Sequence, residues 1–202
     1  MKKLSTKQLV ILGLLAAIVL IMSTTPLGTL PIGPLSITLN MIPIAIAAIA
    51  VGPIGGLIIG FVFGMFSFLQ AIGMIMPSGL GMLTFSVSPF LTFVQRVGSR
   101  ALVGFLLGLI FKGTKKMTNS ATGFFVTGFF AAVLNFIFFM GLLVLCFGGN
   151  ADVAEMWAGK TVMAYLIATF MSNTIFEILV TTILTGVISL GLYKAKLLNT
   201  QQ

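Results

Sequence analysis

Apolar residues along this chain fall in long runs, without the alternation or amphipathic periodicity of a water-soluble fold. The runs extend from Gln8 to Met22, Ile37 to Val51, Gly56 to Ile72, Ser86 to Phe111, Ser120 to Phe147 and Thr161 to Tyr193. About 20 apolar residues cross a bilayer as a helix. The pattern therefore predicts an all-α polytopic membrane protein, a bundle of six transmembrane helices forming one domain over residues 1–202. A β-barrel would need shorter segments alternating apolar with polar residues, and these are absent.

The interruptions are informative too. The stretch from Thr24 to Pro34 holds Pro26, Pro31 and Pro34 with Gly28 and Gly33. Proline removes a backbone donor and glycine tolerates unusual dihedrals, so this predicts an ordered, non-helical loop. It is apolar for a loop and is expected to pack on the protein. A Gly52-Pro53-Ile54-Gly55-Gly56 turn leads into the third run. A second apolar segment with Gly and Pro, Gly73 to Thr84, is expected to fold over the outer surface. The loop from Gly148 to Trp157 carries two of the three acids, Asp152 and Glu155.

Charge fixes the direction. Only 7% of residues are charged, against about a quarter in soluble domains, so lipid must be the solvent for most of the chain. The net charge of +8 does not point to nucleic acid, because the lysines cluster at the ends of apolar runs. These are Lys2, Lys3 and Lys7, then Lys112, Lys115 and Lys116, then Lys194 and Lys196, with Lys160 the one basic residue on the outer side. The positive-inside rule puts both termini in the cytoplasm of a multi-pass cell-membrane protein. The basic start and first run look like a signal peptide, but no clear small-x-small cleavage site follows, so the run is read as a retained span.

Enzyme chemistry has little to stand on. Cys146 is the sole cysteine and there is no histidine, which argues against a metal site, and no cofactor is expected. There is no Walker A motif, GxSxG, HExxH or paired carboxylate.

Ionised side chains inside a membrane need a partner or a function. Counting 1.5 Å per residue, Arg96 lies about 15 Å, Arg100 about 21 Å and Glu177 about 23 Å below the outer ends of their spans. Arg100 and Glu177 are thus expected to form a structural ion pair, leaving Arg96 over. Asn135 and Asn173 lie near the depth of Arg96. Together they predict a polar pocket whose surplus positive charge suits a carboxylate or other anionic ligand. Otherwise Arg96 snorkels or bonds to backbone carbonyls, and the asparagines join helices. Gln70 and Asn40 are candidates for the pocket mouth. Trp157 and Tyr165 either cover the ligand or belong to an interfacial aromatic belt. Gly56, Gly60 and Gly64 form a small-x-x-x-small stripe that serves internal packing or a partner's docking.

These pieces, in this order, resemble the S components of energy-coupling factor (ECF) vitamin transporters over the whole chain. The resemblance rests on the basic N-terminus, the Gly/Pro loop, and Leu35-Ser36-Ile37-Thr38-Leu39-Asn40-Met41-Ile42-Pro43. It extends through Gly52-Pro53-x-x-Gly56, Phe61, Gly64, Phe66-Ser67-Phe68, Arg96 before Val103-Gly104, and the asparagine of the sixth span. It implies a non-catalytic, vitamin-binding subunit that docks on a transmembrane T component coupled to two cytoplasmic ATPases and topples to release its vitamin inside. The family's A-x-x-x-A docking motif stands here as Gly13-Leu14-Leu15-Ala16-Ala17, with Gly13 and Ala17 as the small pair. The Thr25-to-Gly28 loop and the Ile32-to-Pro43 run look most like pantothenate-specific members. The resemblance then implies that Arg96 binds the pantothenate carboxylate, with Asn135 and Asn173 on its amide and hydroxyls. Riboflavin, pyridoxine and hydroxymethylpyrimidine remain competing ligands. A channel or autonomous secondary transporter would show an internal repeat or a continuous polar path, and neither is visible.

Overall fold

The computed structural model describes residues 4–25, 28–32, 35–155 and 161–198. Helix α1 (Thr6–Thr24) opens with a capping box: the Ser5 hydroxyl accepts from the Gln8 amide, and the Gln8 side chain accepts from the Ser5 amide. These bonds satisfy donors that a helix start otherwise leaves open. One stripe of α1, Leu12, Leu15, Val19 and Ser23, is buried, while Gly13 and Ala17 face outward.

The ordered, non-helical segment expected next is an antiparallel hairpin. Strand β1 (Thr29–Ile32) pairs with β2 (Leu35–Thr38), Thr29 opposite Thr38 and Ile32 opposite Leu35. Threonine and isoleucine favour extended backbone, and pairing satisfies polar groups that could not be left open in an apolar setting. The second helix therefore starts at Met41, not near Ile37. Helix α2 (Met41–Val51) has 11 residues, about 16 Å at 1.5 Å per residue, roughly half a bilayer core. Met41 through Ile49 are all buried, because α2 packs against α1 and four later helices.

Helix α3 (Pro53–Ile72) begins with proline at a position whose N–H would be unpaired anyway. Gly73, with φ of 86°, ends it. The segment after it, expected to be a surface loop, contains helix α4 (Gly79–Val87), capped by Ser78. Ser88 closes α4 and caps α5 (Pro89–Phe93), so the fourth span starts at Pro89 and not at Ser86. It continues through a π turn, Val94–Gly98, into α6 (Ser99–Met117). Then come α7 (Ser120–Phe147), the short α8 (Ala151–Glu155), and α9 (Val162–Thr169). A second π turn, Phe170–Thr174, joins α9 to α10 (Ile175–Lys194).

Among the described residues, five helical stretches are long and apolar enough to cross a membrane: Thr6–Thr24, Pro53–Ile72, Pro89–Met117, Ser120–Phe147 and Ile175–Lys194. The second predicted span is the short α2. The glycine stripe of α3 is an internal seam with α6. A β-carbon on Gly56 would run into the Gly104 carbonyl, and one on Gly60 into that of Arg100. One on Gly64 would sit 2.7 Å from the Val97 Cα. The stripe is consumed by packing, which removes it as a docking face.

Lys7, Lys112 and Lys196 gather at one end. Lys7 Nζ donates to the Lys196 carbonyl at 3.1 Å, and the Lys112 side chain lies beside the Gly52 turn. Leu198 tucks in among Ile49, Phe111 and Phe124 at this end. At the opposite end, Gln70 Nε2 donates to the Ser23 carbonyl at 3.0 Å, joining α3 to α1.

Candidate functional site

Arg96 sits on the first π turn. A π turn widens the helix and breaks its regular bonding, and nearby side chains bond to the carbonyls of this one. Ser99 Oγ donates to the Gln95 carbonyl, and Arg100 Nη1 donates to the Arg96 carbonyl at 3.1 Å. The Arg96 guanidinium is buried. Its Nη1 donates to the carbonyl and hydroxyl oxygens of Ser67 on α3, at 3.1 and 2.9 Å. Its Nε has no acceptor. Gly81 of α4 lies directly against Nη2, where a larger residue would collide.

Arg100 is held differently. Its guanidinium carbon lies 4.6 Å from the Phe63 ring centre and 4.7 Å from that of Phe139. Charge against two ring faces is a favourable cation–π arrangement. Arg100 and Glu177 interact electrostatically, but their direct hydrogen bonds go elsewhere. Glu177 accepts from Asn135 Nδ2 at 3.3 Å, and the backbone amide of Thr38 on β2 faces the same carboxylate. Arg100 turns back onto the Arg96 carbonyl in the π turn.

Asn173 sits on the second π turn, buried, with its Nδ2 unpaired. Strand β2 packs against this turn and against the start of α10, so the hairpin adjoins both Asn173 and Glu177. Asn135 is engaged with Glu177. Gln70 and Asn40 act as braces: Asn40 Nδ2 donates to the Gly28 carbonyl at 3.4 Å, beside the Leu39-to-Gly28 backbone bond. Tyr165, half-buried, packs against the cluster formed by Met140, Leu143 and Phe147 of α7 with Val153, which Leu80 and Leu83 of α4 also border. Trp157 lies outside the described residues.

The structure thus gathers Arg96, Arg100, Asn135 and Glu177 around α6, α7 and α10. It adds Phe63, Phe139, Gly81 and Gln95, which the sequence reading passed over, and Ser67, which the sequence offered only within the Phe66-Ser67-Phe68 run. Gln95 carried a signal, being a second polar residue beside Arg96 in an apolar run. The two phenylalanines carried none among so many. Among the described residues no three His, Cys, Asp or Glu side chains group to hold a metal. What the arrangement offers is recognition, with a buried cation and neutral amides in an apolar wall.

The family model described as "ECF transporter, substrate-specific component" matches residues 7–189. This chain belongs to that family. The S component is also 31% identical, over 193 residues, to a protein of Leuconostoc mesenteroides subsp. mesenteroides named pantothenate transporter PanT. The match covers 91% of this chain and 90% of the relative. The S component is a transport subunit and not a catalytic one, and with its several apolar helices it is a multi-pass protein of the cell membrane.

Proposed function

We propose that this S component captures pantothenate at the outer face of the membrane and delivers it inward by toppling on a T component with two cytoplasmic ATPases. The observation that carries the ligand class is the surplus of buried positive charge. Arg96 and Arg100 are both buried with one buried carboxylate, Glu177, whose side-chain partner is Asn135. Arg96 keeps an unpaired Nε. A guanidinium binds a carboxylate more strongly than it binds neutral oxygens, and pantothenate carries one carboxylate. End-to-end similarity to a protein named as a pantothenate transporter supports the choice within the vitamins.

In this reading Arg96 holds the carboxylate and Asn173 bonds to the amide or hydroxyls, with Asn135 positioned by Glu177. The chain crosses the membrane six times, the second crossing being made by the hairpin together with the short α2. The lysine-bearing end is cytoplasmic, as the positive-inside rule requires. Gly13, Ala16 and Ala17 lie on the face of α1 that meets the T component.

Purified protein denatured to release its ligand should yield the mass of pantothenate. The mass of riboflavin, pyridoxine or hydroxymethylpyrimidine would replace that ligand. Arg96→Ala should weaken pantothenate binding at least a hundredfold by calorimetry, and wild-type affinity in that variant would sink the assignment. Affinity purification from the native membrane should bring down one T component and two ATPases.

A further inference from the structure

Arg96 and Asn173 are not the only buried groups in this region with a free polar atom. Gln95, one residue before Arg96 on the same π turn, is 1% exposed, and its Oε1 has no donor. Chemistry fixes the orientation of its amide. The other amide atom lies 3.3 Å from the Phe139 carbonyl oxygen, and a carbonyl can only accept. That atom is therefore the NH2 group, and the free one is the acceptor. One turn earlier, on the face of Arg96, the Thr92 hydroxyl is also fully buried and unpaired.

Phe139 ties Gln95 to the cationic groups. Its carbonyl orients the Gln95 amide, while its ring lies 5.9 Å from the Arg96 guanidinium carbon and 4.7 Å from that of Arg100. One phenylalanine thus anchors the Gln95 amide through its carbonyl and borders both guanidinium groups with its ring. Burying an acceptor without a donor is costly, and a donor on a bound molecule is one way to relieve that cost. Gln95 and Arg96 together suit a ligand that has a carboxylate for Arg96 and an N–H or O–H a short distance away.

We infer that Gln95 is a specificity-determining residue, its Oε1 accepting a hydrogen bond from a hydroxyl or the amide N–H of the ligand whose carboxylate Arg96 holds. This rests on pantothenate as the ligand, which offers both kinds of donor. An acceptor of this kind discriminates more sharply than an apolar surface, because an analogue without the donor leaves it buried and unpaired.

The full-length chain in nanodiscs is titrated calorimetrically with pantothenate and two analogues. One lacks both hydroxyls, and the other has an ester oxygen in place of the amide N–H. Wild type should bind pantothenate and lose at least tenfold on one analogue. Gln95→Met, which keeps the length and removes both the acceptor and the donor to the Phe139 carbonyl, should bind pantothenate at least tenfold more weakly and no longer distinguish that analogue. Gln95→Leu is the second variant should Gln95→Met not fold. Wild-type affinity in the variant, or an equal loss on all three ligands, overturns the role of Gln95. So does a wild type indifferent to both analogues, a result that needs no variant. A wild type that does not bind pantothenate overturns the ligand reading, and the role of Gln95 with it.

Discussion

Gly81 on α4 and Arg96 on the first π turn are packed so tightly that a β-carbon at position 81 would lie 2.8 Å from Arg96 Nη2. The same carbon would lie 2.8 Å from the Ala71 Cα, which is backbone and yields less readily than a side chain. Helix α4 therefore rests directly on the guanidinium, and it can do so because position 81 carries no side chain. Gly81→Ala must lift α4 or push Arg96 aside. Overpacking of this kind costs about 1–3 kcal/mol. We expect the variant to fold, to melt at a lower temperature, and to bind pantothenate at least tenfold more weakly by calorimetry. Unchanged affinity would show that α4 has slack.

The α3–α6 seam gives a second expectation, through stability. Gly60→Ala puts a methyl group against the Arg100 carbonyl, so the two helices must separate by a fraction of an ångström. A loss of about 1–3 kcal/mol is expected, read as a lower midpoint in thermal unfolding in detergent. Gly13→Ala is the matched control, because nothing lies within 4 Å of a β-carbon there. Equal melting of the two variants would contradict the seam.

Asn135, half-buried, donates a hydrogen bond to the buried carboxyl group of Glu177. Bonds to charged groups contribute about 1.5–3 kcal/mol, and removing one partner leaves the other unpaired. Asn135→Leu should therefore destabilise the protein by about that amount, and by less when Glu177→Gln is already present. A double-mutant cycle on unfolding midpoints measures this coupling. Strict additivity would mean that the bond is energetically idle.

The outward face of α1 can be altered without touching the pocket. Ala17 is exposed, and its side of the helix contributes nothing to the buried stripe. Ala17→Trp should leave pantothenate affinity within twofold of wild type while abolishing co-purification of the T component. Retained co-purification would move the docking face elsewhere.

Much of this architecture is written in the order of residues. Lys7, Lys112 and Lys196 mark one end of the bundle, and the apolar runs between them become helices because lipid offers their backbones no other partner. The pairing of Arg100 was less legible. Depth can be counted along a helix, but direction depends on every turn above it, and a π turn precedes Arg100. Nothing local distinguishes Val94–Gly98 from ordinary helix, since the wide turn is stabilised by Ser99 and Arg100 bonding back to it. The hairpin was hidden for a related reason: Leu35 to Thr38 suits either the start of an apolar helix or a strand, and only pairing with Thr29 to Ile32 decides. Arg96 and Asn173 could be singled out because an amide or guanidinium in an apolar run is conspicuous. Glycine at 81 was not, because its value lies in what α4 covers.

The two π turns also divide the labour within their helices. In a regular helix, a rotation at Arg96 would swing Gly104 and Gly108 off the faces where they meet Gly56 and Pro53. Because Val94–Gly98 interrupts the regular ladder, the segment that carries Gln95 and Arg96 has an angular setting distinct from that of Gly104 and Gly108, while Val97 keeps it in touch with the seam at Gly64. Phe170–Thr174 does the same for Asn173, above the region where Thr181 bonds to Gly128. In the proposed site, the groups offered to a ligand can thus be altered apart from the contacts of Gly104 and Gly108, whereas Val97 remains tied to Gly64.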